Sequence, residues 1–300
     1  MLWLGLLSGA ALAASALPSA PPFARSLVWT EKGAEFETLS SQPISCLAKG
    51  TNPASVQYGR ALFNTPTLLG GQAAKAGLNC NSCHISGRDN LHFMLPQLSS
   101  VSGTADVSSS FFSAARGNGK FDPVKIPDLA MPGKISRDPS SDKLERFIRN
   151  LVVEEFSGHE PSKTTLSALA AYVRAIRNCE GSPERGPHRL EDQRLEDQLA
   201  LISSAVDGAA NMAKAGEYGT ADLLIAAARH QLGLIHERYG ARGLKRQQKM
   251  LLKSSIDLQT TTDLPKWQAD FDRNVAPALR QAESKSAYNP AILRKLLAPS

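Results

Sequence analysis

The stretch from Asn64 to Asp138 limits the folds open to this chain more than any other feature. It is rich in Gly, Ser, Asn and Pro, and it follows neither the two-residue period of a strand nor the 3.6-residue period of a helix. An aperiodic segment of this length is unusual inside a compact domain. Because 42% of the residues are hydrophobic, the chain has enough apolar surface for a real core. Something other than a sheet or a helix bundle must therefore organise the stretch.

Helical patterns stand on both sides of it. An Asn-Pro start predicts a helix over 53–63, and apolar residues at helical spacing predict helices over 144–158 and 162–176. Asp142 and Glu145 have the spacing of a capping box at the start of the second of these helices. No strand pattern occurs, so the chain is predicted to be all-α.

The aperiodic stretch contains Cys80-Asn81-Ser82-Cys83-His84, a C-x-x-C-H sequence that is typical of c-type haem attachment. Two thiols at this spacing can each form a thioether to one vinyl group of the same porphyrin, and the adjacent His84 then binds the iron. The alternatives are a redox dithiol, which needs a βαβ pattern, and a zinc half-site, which needs a second ligand pair. The sequence supplies neither, and it predicts one covalently attached haem c.

A buried porphyrin would also explain the missing periodicity, because loops can pack around it as their core. Apolar residues of these loops are then expected to be buried without lining a helix face: Leu68, Leu69, Leu78, Leu91, Phe93, Leu95, Phe111, Phe112 and Ile126.

The motifs resemble a known family. The run Tyr58-Gly59-Arg60-Ala61-Leu62-Phe63-Asn64-Thr65-Pro66, followed by the C-x-x-C-H sequence, is similar to the opening of a haem domain in the bacterial di-haem cytochrome c peroxidase family, which includes the methylamine-utilisation di-haem enzyme. The segment 121–129 resembles that family's proline-containing segment, and the two helices after it resemble its closing pair. The resemblance covers residues 50–180 and implies a cytochrome c haem domain with long haem-wrapping loops.

The chain also departs from that family. The family's enzymes use two haems, whereas this sequence has one C-x-x-C-H, so electron storage on a second haem is not expected. The family's Met ligand falls near Leu151 here. Its aromatic-His-Asp-Gly sequence is replaced by Ala130-Met131-Pro132-Gly133.

The second axial position of the iron decides between electron transfer and chemistry on a small molecule, since a filled position blocks peroxide. Met131, in a loop bounded by two prolines, is the candidate ligand. Met94 and His92 are alternatives, although a local apolar packing role is favoured for both, and an open position remains a further alternative. His159 has the setting of a solvated loop histidine.

Further sequence features lie before the predicted haem domain and at its two ends. The apolar run within residues 1–20 predicts a secretory signal peptide and hence a periplasmic protein, with no stable membrane insertion after cleavage. Residues 21–49 read as an N-terminal extension. In an oxidising compartment Cys46 and Cys179, which flank the haem domain, are candidates for a disulfide, the alternative being two free thiols.

Two prolines and two glycines within 181–187 predict a domain boundary, and residues 188–300 an α-helical domain. A basic stripe within that domain reads as a solvated face or as a docking surface for an acidic partner: Arg238, Arg242, Lys245, Arg246, Lys249 and Lys253. The net charge is only +6 and dense Lys/Arg blocks are absent, so no nucleic-acid partner is expected. Arg116 and Lys120 either neutralise haem propionates or belong to a solvated turn.

The sequence therefore predicts an exported mono-haem c-type cytochrome that transfers one electron at a time with a redox partner protein. The alternative is a peroxidase-like enzyme that reduces hydrogen peroxide at an open haem site, for which His92 and Glu160 are the nearby acid-base candidates. A haem-based sensor or a structural subunit is a third class.

Overall fold

The computed structural model describes residues 23–40, 46–48, 53–109, 111–112, 115–177 and 194–298. The fold is mostly helical, as predicted. The N-terminal half contains α1 (Glu35–Ser40), α2 (Pro53–Phe63), α3 (Pro66–Leu69), α4 (Gly71–Ala76), α5 (Cys80–Cys83), α6 (Lys143–Asn150) and α7 (Lys163–Ala175). The C-terminal half contains α8 (Arg194–Lys214), α9 (Tyr218–Gly240), α10 (Lys245–Thr260), α11 (Leu264–Asp270), α12 (Ala276–Ala282) and α13 (Pro290–Leu297). The signal peptide over 1–20 and the boundary over 181–187 lie outside the described residues.

Four two-residue strands form two antiparallel ladders that the sequence did not predict. β1 (Cys46–Leu47) pairs with β4 (Ile176–Arg177), and β2 (Thr104–Ala105) pairs with β3 (Val124–Lys125). The first ladder joins the chain just before α2 to the end of α7. The second ties together two points of the long irregular stretch.

Helices α2 and α7 cross at close range, and glycine makes this possible. A Cβ atom at Gly59 would lie 1.9 Å from the Ala168 carbonyl oxygen, so no larger residue fits there without a backbone shift. Beyond the crossing, the rings of Phe63 and Tyr172 meet edge to face with centroids 5.2 Å apart. Phe63 and Tyr172 belong to the same apolar core as the buried residues of the irregular stretch.

Helix α7 begins as predicted, whereas α6 does not. The Ser162 hydroxyl accepts a hydrogen bond from the Thr165 N–H at 3.1 Å and caps α7. The Asp142 side chain makes no capping hydrogen bond, so the predicted capping box is wrong. The Glu145 carboxylate instead accepts hydrogen bonds from Nη1 and Nη2 of the Arg174 guanidinium, at 2.7 and 2.6 Å, and so joins α6 to α7.

We expect Glu145→Gln to lower the free energy of unfolding by about 1–3 kcal/mol at pH 7, because this largely buried pair is bidentate. Burial acts to raise the pKa of Glu145, but the hydrogen bonds from Arg174, a backbone hydrogen bond and the charge of Arg174 together outweigh it, and the pKa is lowered. The stabilisation is therefore complete above the ordinary glutamate pKa and lost as the pH falls through the lowered one. Urea unfolding of both proteins at pH 7 and across the acid range measures this; a constant difference at every pH would contradict the assignment.

Helices α8 and α9 pack on α2, and one apolar core continues from the N-terminal half of the chain into the C-terminal helices. Gly208 of α8 lets the ring of Tyr58 approach, and the Tyr58 hydroxyl accepts a hydrogen bond from Asn211 at 2.9 Å. A smaller cluster joins the N-terminal residues Ala24 and Leu39 to Leu293 of α13. The described helices include none long and apolar enough to cross a membrane.

Most of the loop residues expected in the core are buried: Leu68, Leu69, Leu78, Phe93, Phe112 and Ile126. Leu95 is partly buried against them. Leu91 and Phe111 are exposed, which corrects that expectation.

Candidate functional site

The C-x-x-C-H sequence forms one short helical turn, α5, whose start is capped reciprocally. The Asn79 side chain accepts the Ser82 N–H at 3.0 Å, and the Ser82 hydroxyl accepts the Asn79 N–H at 3.1 Å. The turn places Cys80 and Cys83 three residues apart, which is same-face spacing on a helix. The structure thus presents two thiols side by side from a rigid backbone.

Both cysteines are free thiols, and each keeps a partly exposed surface. Burial in their surroundings raises the pKa of Cys80 to about 12 and that of Cys83 to about 12. A redox dithiol needs a lowered thiol pKa, because the thiolate is the reactive form. This environment therefore does not favour the dithiol alternative.

His84 follows α5 directly, and its ring is held by the irregular stretch. Its Nδ1 lies 3.0 Å from the carbonyl oxygen of Pro127, 43 residues away in the chain. A neutral ring donates its N–H to that carbonyl and keeps Nε2 free as a ligand atom. Burial lowers the pKa of His84 to about 4, so the ring is neutral at pH 7.

The segment that carries this carbonyl is anchored on both sides. The Leu129 N–H donates to Gly87 O at 3.1 Å, and Arg88 forms an ion pair with Asp128 at 2.7 Å. Arg137 donates from its guanidinium to Leu129 O and to Val173 O near the end of α7. These contacts fix the acceptor of the His84 ring.

Met131 belongs to the same segment, four residues after the carbonyl that accepts from His84. Its N–H closes a turn onto Asp128 O at 3.3 Å, and its side chain is 47% exposed. The turn holds Met131 four residues from Pro127, and the described contacts of the residue include none with His84. This placement gives no support to Met131 as the second axial ligand, which stays a prediction.

The other candidates have partners elsewhere. His92 Nε2 lies 3.2 Å from a Glu37 carboxylate oxygen, near the N-terminal segment. Glu160 is bound by Arg149 at 2.6 Å, and His159 is exposed, as its loop setting predicted. Met94 donates its N–H to Trp29 O at 3.1 Å.

Sequence reasoning missed a buried carboxylate. Glu155 ends a π-helical turn, Leu151–Glu155, that continues α6, and it is only 8% exposed. Burial raises its pKa, Arg116 contacts its Oε1 at 3.0 Å, and its Oε2 has no hydrogen-bond partner within the described part of the chain. Arg116 therefore already has a carboxylate partner in this chain. No sequence signal distinguishes Glu155 from the adjacent Glu154.

Cys46 is disulfide-bonded and begins β1, whose partner strand ends at Arg177. Cys179 lies outside the described residues, so the Cys46–Cys179 pairing stays a prediction.

In comparison with known proteins, no family model, no curated protein and no solved structure matches the chain.

Proposed function

We propose that the protein binds one haem c through Cys80, Cys83 and His84 and uses it for one-electron transfer. The observation that carries the proposal is the arrangement at α5, where two neighbouring free thiols precede a neutral histidine with one fixed nitrogen and one free nitrogen. Thioether formation needs the thiols, and iron ligation needs the free nitrogen.

The residues present suit such a group. A thiol pair with imidazole is the donor set that c-type haem requires, and the Pro127 carbonyl would orient the ring and raise its basicity as a ligand. Haem supplies a redox-active iron and a large apolar face. Among the described residues, eleven large apolar side chains are exposed, and seven of them lie from Leu91 to Phe147, in and beside the irregular stretch. This concentration supports an apolar partner for this part of the chain.

A second candidate function, peroxide reduction at an open iron, is favoured by the 47% exposure of Met131, the candidate second ligand. It also requires an acid-base group beside the iron. His92 and Glu160, the two sequence candidates, are engaged with Glu37 and Arg149 instead. We therefore keep electron transfer as the proposed function.

Optical spectra of the purified holoprotein test this proposal. For an electron carrier we expect a low-spin ferric spectrum and a reduced form that does not bind carbon monoxide, because both axial positions are filled. If Met131 is the ligand, its weak far-red charge-transfer band is lost in Met131→Ala and kept in the matched control Met94→Ala. A high-spin ferric form that binds carbon monoxide when reduced would overturn electron transfer and make peroxide reduction the leading function.

A further inference from the structure

A cavity of about 340 Å³ lies beside the α5 turn, and its lining includes none of Cys80, Cys83 and His84. Its walls come from the segment before α1 and from residues of α1, α2, α5, α7, α8 and α9. Asn79, Asn90 and Gln231 contribute polar side chains to it. The cavity is large enough for a small ligand, and its lining suits a polar one.

Positive charge predominates in the lining. Four arginines face the cavity: Arg25, Arg60, Arg194 and Arg238. The lining carboxylates are Glu237 and Asp197. Glu237 is bound by Arg25 at 2.8 Å, and Asp197 is exposed. The cavity therefore holds more cationic than anionic side chains.

The Arg194 guanidinium has one hydrogen-bonded and one unpaired terminal nitrogen among the described residues. Its Nη2 donates to Thr38 O at 3.3 Å, while its Nη1 is buried without a hydrogen-bond partner among the described residues. The Thr38 hydroxyl also lines the cavity, and it too is buried without a hydrogen-bond partner among the described residues. Burial, and then the charge of Arg238, lower the pKa of Arg194 to about 9. A buried cation in this state is costly unless an anion meets it.

The Arg238 guanidinium donates to two backbone carbonyl oxygens. It donates to Leu39 O at 3.0 Å and to Ala287 O at 3.3 Å, and it lies 5.5 Å from the centroid of the Tyr288 ring. Within the described part of the chain, neither Arg238 nor Arg194 has a carboxylate within 4.0 Å. Two guanidinium groups that form no ion pair among the described residues thus line one polar cavity.

We propose that this cavity binds a small oxyanion of the phosphate or carboxylate class, held by Arg194 and Arg238 with Arg60 at its wall. Guanidinium groups bind both kinds of oxyanion with paired hydrogen bonds. The site is separate from the proposed haem site, and neither proposal requires the other.

Calorimetric titration of the full-length holoprotein tests this inference, with sodium phosphate in one arm and sodium malonate in the other at matched ionic strength. We expect saturable one-to-one binding in at least one arm, and the responding arm identifies the anion class. Arg194→Gln should weaken that binding at least tenfold, the usual effect of losing a charge-assisted hydrogen bond. Arg280→Gln is the matched control, because Arg280 pairs with Glu196 on the surface, outside the cavity, and binding should be unchanged.

Absence of saturable binding in both arms would overturn the inference. Equal weakening in Arg194→Gln and Arg280→Gln would also overturn it, because it would indicate a diffuse surface effect. Circular dichroism verifies that each variant is folded. If Arg194→Gln does not fold, Arg60→Gln replaces it, with the same expected weakening.

Discussion

Haem attachment is expected to disappear completely in the double variant Cys80→Ser/Cys83→Ser. Both thioethers need a thiol, and the α5 turn places these two thiols on one face beside His84. Haem staining of denatured protein and the intact mass both report the result, since only a covalently bound group survives denaturation.

The double variant Cys46→Ser/Cys179→Ser is the matched control, because it replaces the same number of cysteines at positions outside the motif, one of them, Cys46, disulfide-bonded. We expect this control to keep its haem. The proposed role of the motif would be contradicted if the Cys80→Ser/Cys83→Ser protein still carried covalent haem. It would also be contradicted if both variants lost haem to the same extent.

A large loss of stability is expected for Gly59→Ala, at the crossing of α2 and α7. The added methyl group would lie 1.9 Å from the Ala168 carbonyl oxygen and 2.8 Å from the Tyr172 Cβ. The first of these is a backbone atom, so the helices must separate and lose part of their shared core. We expect a loss of roughly 3–5 kcal/mol in the free energy of unfolding, above the usual range for overpacking. Urea denaturation measures the change.

Gly219→Ala provides the control within a helix. A Cβ at Gly219, in the first turn of α9, meets no atom within 4 Å. The substitution should raise stability by about 0.5–1 kcal/mol, because alanine loses less backbone entropy than glycine in a helix. Similar losses for both variants would contradict the steric explanation and point to a general intolerance of the chain.

The sequence predicted those parts of the structure that local patterns determine. Helices over 53–63 and 162–176 follow from an Asn-Pro start and from a regular apolar stripe, and the structure has them at Pro53–Phe63 and Lys163–Ala175. The motif residues likewise stand out from their spacing alone. Asn79 and Ser82 form the reciprocal cap of α5, a local pattern that was present in the sequence and was not recognised.

The remaining features depend on contacts between distant residues. Glu145 has the spacing of a capping box, but its carboxylate is taken by Arg174, 29 residues away, because α7 packs against α6. The Pro127 carbonyl meets His84, and the Glu155 carboxylate meets Arg116, through contacts between residues far apart in the chain. No local sequence pattern predicts such contacts. The same holds for Arg194 and Arg238, whose place in one cavity follows from the packing of α8, α9 and the N-terminal segment.

The bridge made by Arg137 has a consequence for the order of folding. One guanidinium joins Leu129 O to Val173 O, and so connects the segment behind His84 to α7; Arg137 and Val173 are 36 residues apart in the chain. An intermediate that has formed α5 but has not yet docked α7 keeps the contacts of this segment with Gly87 and Arg88 and lacks its connection to α7. The His84 ring would then reach its final setting late in folding, as a property of the completed tertiary structure rather than of the five-residue motif.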